Sequence, residues 1–148
     1  MKAVDSFDRL LGEWETSGTL SADGAEVRVR GRTTIQRTGA LVVVHATVSP
    51  EAFPDSVSVI INAEDGPATM HYFDERGVHR RYFCALSGGL WTLWRADEDW
   101  RESPGFNQRY LGEMSSDGQH IKGAWERGTG PAGDAWVVDF TLNYRRTG

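Results

Sequence analysis

The side chains through which this chain could do chemistry are four histidines (His45, His71, His79, His120), one cysteine (Cys84), six tryptophans and scattered arginines and carboxylates. The histidines have no compact metal-ligand spacing, and a single thiol cannot build a zinc site, so no metal is expected. Cys84 sits mid-strand without an activating base, and no Gly-x-Ser-x-Gly is present, so no catalytic nucleophile is assigned. The glycine-rich pieces follow turns instead of opening helices, which removes a phosphate-binding loop, and no cofactor is expected. Asp139 and Glu126 would make an acid–base pair only if they shared an interior, and both fall on polar rows. His71 has two readings, an axial haem ligand or a hydrogen-bonded structural residue.

Whatever these residues do depends on the elements that hold them. The chain has 148 residues with 17 Gly and 5 Pro, the size of a single domain over residues 1–148. One short helix is expected at Val4–Leu11, with Phe7, Leu10 and Leu11 on its buried side as a cap. About ten strands follow, near Glu13–Ser21, Glu26–Gln36, Ala40–Ser49, Ser56–Asn62, Ala68–Phe73, Val78–Ser87, Leu90–Ala96, Phe106–Ser115, His120–Arg127 and Ala135–Arg146. Asp74–Gly77, Gly88-Gly89 and Asp117-Gly118 carry hairpin chemistry, and no gap is long enough for a helical crossover, so sequential strands pair antiparallel. Closure removes the exposed edges of such a meander. The expected fold is all-β: a closed antiparallel up-and-down β-barrel, with rim loops at Asp97–Gly105 and Gly128–Asp134.

Hairpin register assigns the faces, because directly opposed residues share one. Around Asp117-Gly118, Met114 opposes Ile121 and Tyr110 opposes Trp125, and Phe106 and Gln108 extend this inward row. Around Gly88-Gly89, Leu86 opposes Trp91, Cys84 opposes Leu93 and Tyr82 opposes Arg95, with Arg80 on the same row. Through a four-residue Asp74–Gly77 turn this row continues to Phe73 and His71. Val29, Thr33 and Ile35, then Val57, Val59 and Ile61, then Trp136, Val138, Phe140, Leu142 and Tyr144 complete the interior. His45 lies in a strand apolar on both faces, which leaves its side open.

The lumen so assigned is lined by His71, Phe73, Arg80, Tyr82, Trp91, Arg95, Gln108, Tyr110, Trp125 and Phe140. Guanidinium groups do not sit unpaired in a dry core, and these rows contain no carboxylate to pair them. A hydrated cavity for a small, mostly apolar molecule with an acidic or polar head accounts for the combination; arginines snorkelling at the rims would account for it without a ligand.

A formal charge of −5 gives no global footprint for nucleic acid, and no segment approaches the length of a membrane span. The N-terminus lacks a signal-peptide core, so the expected location is cytoplasmic, with a small-molecule ligand as partner and neither nucleic acid nor membrane.

The opening Phe7-Asp8-Arg9-Leu10-Leu11-Gly12-Glu13-Trp14 resembles the start of lipocalin-like proteins, whose Gly-x-Trp closes the barrel base. The segments Met70–Val78, Phe106–Gly112 and Gly123–Glu126, with Trp136 and Asp139-Phe140, are similar to bacterial uncharacterised lipocalin-like domains of the calycin superfamily. The resemblance implies a barrel, an Arg near the end of the chain (Arg145 or Arg146) packed on Trp14, and binding without a defined reaction. Relatives include carriers of hydrophobic compounds and the haem-binding nitrobindins, whose C-terminal haem-ligating His has no match here. Two other functions fit the same barrel. One is an isomerase- or cyclase-type enzyme using His71 or Tyr82 as acid or base. The other is an interaction module with a filled interior, pairing with a second copy through an outer face bearing Phe83 and Trp94.

Overall fold

The computed structural model describes residues 7–22, 24–49, 54–62, 67–95, 108–129 and 135–148. Eleven strands run in order: β1 (Gly12–Ala22), β2 (Ala25–Thr38), β3 (Leu41–Ser49), β4 (Ser56–Ile61), β5 (Ala68–Asp74), β6 (His79–Ser87), β7 (Leu90–Arg95), β8 (Gln108–Met114), β9 (His120–Thr129), β10 (Ala135–Thr141) and β11 (Asn143–Arg146). Each strand from β1 to β9 pairs antiparallel with its sequence neighbour. The final stretch breaks at Leu142 into β10 and β11, which together lie between β9 and β1. Because β1 also pairs with β2, the sheet closes into a barrel. No helix among the described residues is long and apolar enough to cross a membrane.

Val4–Ser6 of the expected N-terminal helix lie outside the described residues, and from Phe7 the segment ends in a 3-10 turn, Asp8–Leu10. The next residue, Leu11, is already extended (φ −62°, ψ 136°), because Gly12 begins β1 and the sheet takes over the backbone groups. The turn still caps the barrel: Phe7 and Leu10 are buried with Trp14, Ile35, Val42, Ile60 and Ile121 in one cluster. Trp14 Nε1 donates to the Leu10 carbonyl at 2.9 Å, and the Arg146 guanidinium lies 4.1 Å over the indole. Arg146 also donates to the carbonyls of Arg9, Leu11 and Gly118, tying the end of the chain to its beginning. Arg145 instead points outward to Glu15 at 2.6 Å.

Two hairpins have the expected register. Leu86↔Trp91, Cys84↔Leu93 and Tyr82↔Arg95 flank Gly88-Gly89, both at positive φ, and Met114↔Ile121, Gly112↔Gly123 and Tyr110↔Trp125 flank Asp117-Gly118. Tyr110 lies over Gly112 and Gly123, where an added Cβ would collide with its ring, and donates to the Leu142 carbonyl at 3.0 Å. Cys84 is buried, and burial pushes its thiol up to about 12, which makes it a core residue and not a nucleophile.

Three expected rows are on the other face. The β5–β6 turn is one residue longer than assumed: Asp74 N–H bonds the Val78 carbonyl, so Phe73 pairs with His79 and Tyr72 with Arg80. A one-residue slip exchanges the faces of a strand. Met70 and Tyr72 therefore look inward, while His71 and Phe73 look out. The same pairing carries into β4, whose inner residues are Ser56, Ser58 and Ile60; Val57 and Ile61 are among the exposed hydrophobics. In β10 the register shifts between Val138 and Phe140, a bulge at Asp139. It leaves Phe140 inside against Trp125 but turns Trp136 outward, under the Arg109 guanidinium at 4.0 Å, and Val138 to solvent. His45 is exposed. Phe83 and Trp94 are on the outer face, rings 5.8 Å apart. The expected rim loop at Asp97–Gly105, most of that at Gly128–Asp134, and Phe106 lie outside the described residues.

Candidate functional site

The barrel is unevenly filled. Its inner wall on β3 and β4 is made of small side chains, Val44, Ala46, Val48, Ser56 and Ser58, and large rings stand opposite on β6, β7, β9, β10 and β11. Small residues facing large ones leave a cavity of about 330 Å³, at the lower end of the range for small-molecule sites, about 300–1,000 Å³. Trp14 and the residues packed on it close one end.

Aromatic contacts order the far wall. Trp125 packs against Tyr82 and Tyr110 with ring centroids 5.4 Å away in each case, and Trp91 packs against Tyr110 at 5.5 Å and Tyr144 at 5.9 Å. The Trp91 indole N–H has no hydrogen-bond partner among the described residues. Tyr82 donates to Gln108 Oε1 at 2.8 Å, which fixes both side chains in the lumen wall. Burial pushes the Tyr144 and Tyr110 phenols well above the ordinary tyrosine range, so both are neutral hydroxyls.

The mouth is polar and cationic. Arg76 and Arg80 line it, and Arg76 is ion-paired to the Asp74 carboxylate. Arg76 is anchored from behind: Nη2 lies 2.6 Å from Asp74 Oδ2, and Asp74, its side chain shielded from solvent, also accepts from the Tyr72 hydroxyl at 2.8 Å and from the Arg76 backbone N–H at 2.9 Å. Burial alone would raise the Asp74 carboxyl, but the hydrogen bonds from Arg76 and Tyr72 outweigh it and hold it at about 2. A folded-state value below the unfolded one stabilises the fold at neutral pH, and that contribution disappears as pH falls through the window from about 4 to about 2. Asp74→Asn is therefore expected to be less stable than wild type at pH 7, with the gap narrowing below about pH 4; denaturant melts at pH 7, 4 and 2.5 measure it. A gap that is the same at all three pH values would show that Asp74 stabilises nothing through its charge.

Of the residues expected in the lumen, the structure brings Arg80, Tyr82, Trp91, Gln108, Trp125 and Phe140 together around the cavity. Tyr110 points inward but belongs to the packed layer beneath it. Arg95 stands across from Tyr82 on the inner row with its guanidinium nitrogens out of solvent, and does not line the cavity. His71 and Phe73 stand on the outer face. His71 stacks near His79 at 5.9 Å and pairs in register with Arg81; burial, His79 and Arg81 together lower its pKa. It cannot ligate a haem or act as acid or base in the lumen. Sequence reasoning missed Tyr72, Arg76, Ser58 and Thr16 as wall residues, while Thr33 stands on the inner row where it was expected. The Asp74–Gly77 turn held the signal for the first two, since reading it one residue longer moves Tyr72 inside and leaves Arg76 at the mouth.

Fold and site together define a closed antiparallel β-barrel with an internal, cation-mouthed cavity. Among solved structures, the crystal structure of Rv2717c from M. tuberculosis matches with a TM-score of 0.67 and 11% identity, covering 99% of this chain and 98% of that one. A de novo designed fluorescence-activating β-barrel matches with a TM-score of 0.45 and 14% identity over 99% of both chains. At these identities the likeness to Rv2717c concerns the fold. No family model and no curated protein matches the chain.

Proposed function

We propose that this barrel binds a small, mostly apolar molecule with an acidic head, the apolar body against the aromatic wall and the head at the mouth. The observation that carries this reading is a lumen of about 330 Å³ in which Arg76 and Arg80 share the lining with Trp91, Leu93, Trp125 and Phe140. A void alone would be a packing defect, which cores avoid. Cations at its mouth give it a sign: an anion entering there gains charge-assisted hydrogen bonds in a site partly screened from water. The resemblance of the sequence to lipocalin-like proteins, some of which carry hydrophobic compounds, supports the same reading.

Intrinsic fluorescence reads the binding directly, because Trp91 and Trp125 stand in the wall. Titration with fatty acids and aromatic acids is expected to give saturable quenching. Arg80→Ala and Arg76→Ala are each expected to weaken it about tenfold, the lower end of what a charge-assisted hydrogen bond contributes, because the mouth is partly solvated. The corresponding methyl esters should bind wild type and variants alike. Equal affinity of all three proteins for the free acids would remove the arginines from recognition and the proposal with them.

A further inference from the structure

The deep part of the cavity carries hydroxyls that holding an anion at the mouth does not use. Thr16 from β1 and Thr33 from β2 both line the cavity and are each 2% exposed. Their Oγ1 atoms are 2.7 Å apart in a hydrogen bond that either can donate. Each hydroxyl has one proton. Whichever threonine donates, the accepting one keeps its own proton, and neither Oγ1 has a second partner among the described residues. Ser58, 4% exposed, adds a third hydroxyl to the lining. A buried O–H without an acceptor is destabilising, and a cavity that only held hydrocarbon would be better lined there by valine.

Depth separates these hydroxyls from the arginines. The Arg76 side chain is 54% exposed, at the mouth, whereas the threonines are shut off from solvent just above the Trp14 plug, Thr33 directly opposite Trp14 in register. The rings of Trp91, Trp125 and Phe140 lie along the wall that both ends share.

We propose that the ligand is two-ended: an acid group at Arg76 and Arg80, a flat apolar body along the rings, and at the far end a hydroxyl or carbonyl oxygen that accepts from the Thr16–Thr33 pair. This rests on the anion-binding reading above and narrows it from apolar acids in general to oxygenated ones. A terminal methyl group arriving at the threonines would strip them of any water and give nothing back, so the pair discriminates against it.

Isothermal titration with 4-phenylbutanoate and 4-(4-hydroxyphenyl)butanoate tests the far end at constant head and body. Wild type is expected to bind the hydroxylated acid about five- to tenfold more tightly, the effect of one net hydrogen bond. The preference is expected to fall to about one in the double variant Thr16→Val/Thr33→Val, which has no donor left at the far end, and to persist in either single valine variant and in Thr16→Ser, each of which keeps an O–H without an acceptor. Equal affinity of wild type for the two acids overturns the two-ended ligand and leaves the anion reading standing. Binding of neither acid, or binding unchanged in Arg80→Ala, overturns both. Should the valine variants fail to fold, the wild-type ratio decides alone.

Discussion

Trp14→Ala is expected to cost about 3–5 kcal/mol of stability, the range for deleting a large buried aromatic side chain. Of a total near 5–15 kcal/mol for a domain, that is enough to leave a substantial unfolded fraction at ambient temperature. The reason is that Trp14 performs three separate tasks at the closed end. Its ring, 1% exposed, fills the base of the barrel; its Nε1 holds the 3-10 turn through Leu10; and its face is the platform for Arg146, which in turn holds the carbonyls of Arg9, Leu11 and Gly118. Alanine removes the filling and the platform at once and leaves the Leu10 carbonyl to find water. Trp14→Phe keeps part of the filling and loses the hydrogen bond, so about a third to a half of the loss is expected. Urea unfolding followed by circular dichroism separates the two variants. A loss below about 1 kcal/mol in Trp14→Ala would mean that the base is sealed by other residues.

The closed barrel was legible because its signals are redundant. Many short apolar runs, Gly-containing turns and the absence of crossover-length gaps all exclude the same alternatives, so an error at one strand does not change the architecture. The site was less legible because faces are decided by parity, and parity has no redundancy. At Gly88-Gly89 and Asp117-Gly118 the turn is short and the register follows, which placed Tyr82, Trp91, Trp125 and Gln108 correctly on inner rows. At Asp74–Gly77 the Asp74–Val78 hydrogen bond encloses one residue more, and that single residue exchanged His71 and Phe73 for Tyr72 and Met70. Composition gave no warning, since both rows of β5 are mixed. The Asp139 bulge did the same to Trp136 and Val138 while sparing Phe140. At the N-terminus the described end of the expected helix, Asp8–Leu10, is a 3-10 turn that buries Phe7 and Leu10 against the barrel end.

The cavity itself follows from side-chain volumes that sequence displays only after the faces are known. On the inner rows of β3 and β4 no residue around the cavity is larger than valine apart from Ile60 beneath it, and Ser56 and Ser58 replace what sheet packing would ordinarily fill with Ile or Leu. Polar residues at core-facing positions break the local rule that packing alone would impose, and such breaks concentrate at functional sites.

That asymmetry makes Ser58→Phe a variant whose two effects have opposite signs. Phenylalanine at Ser58 replaces a buried hydroxyl with a ring that favours strands and extends into existing space, so the fold is expected to gain about 0.5–2 kcal/mol, as cavity-filling substitutions do. The same ring occupies the space that the apolar body of a ligand would need. Excluding about 100 Å² of ligand surface costs about 2.5 kcal/mol at about 25 cal/mol per Å², close to a hundredfold in affinity. Thermal unfolding and the fluorescence titration, run on the same preparation, test both signs. A barrel that is stabilised and still binds its acids with wild-type affinity would place binding outside this cavity. A barrel that is destabilised would mean that the space is already occupied in the folded chain. Stabilisation together with lost binding is the combination expected of a cavity kept open at the expense of packing.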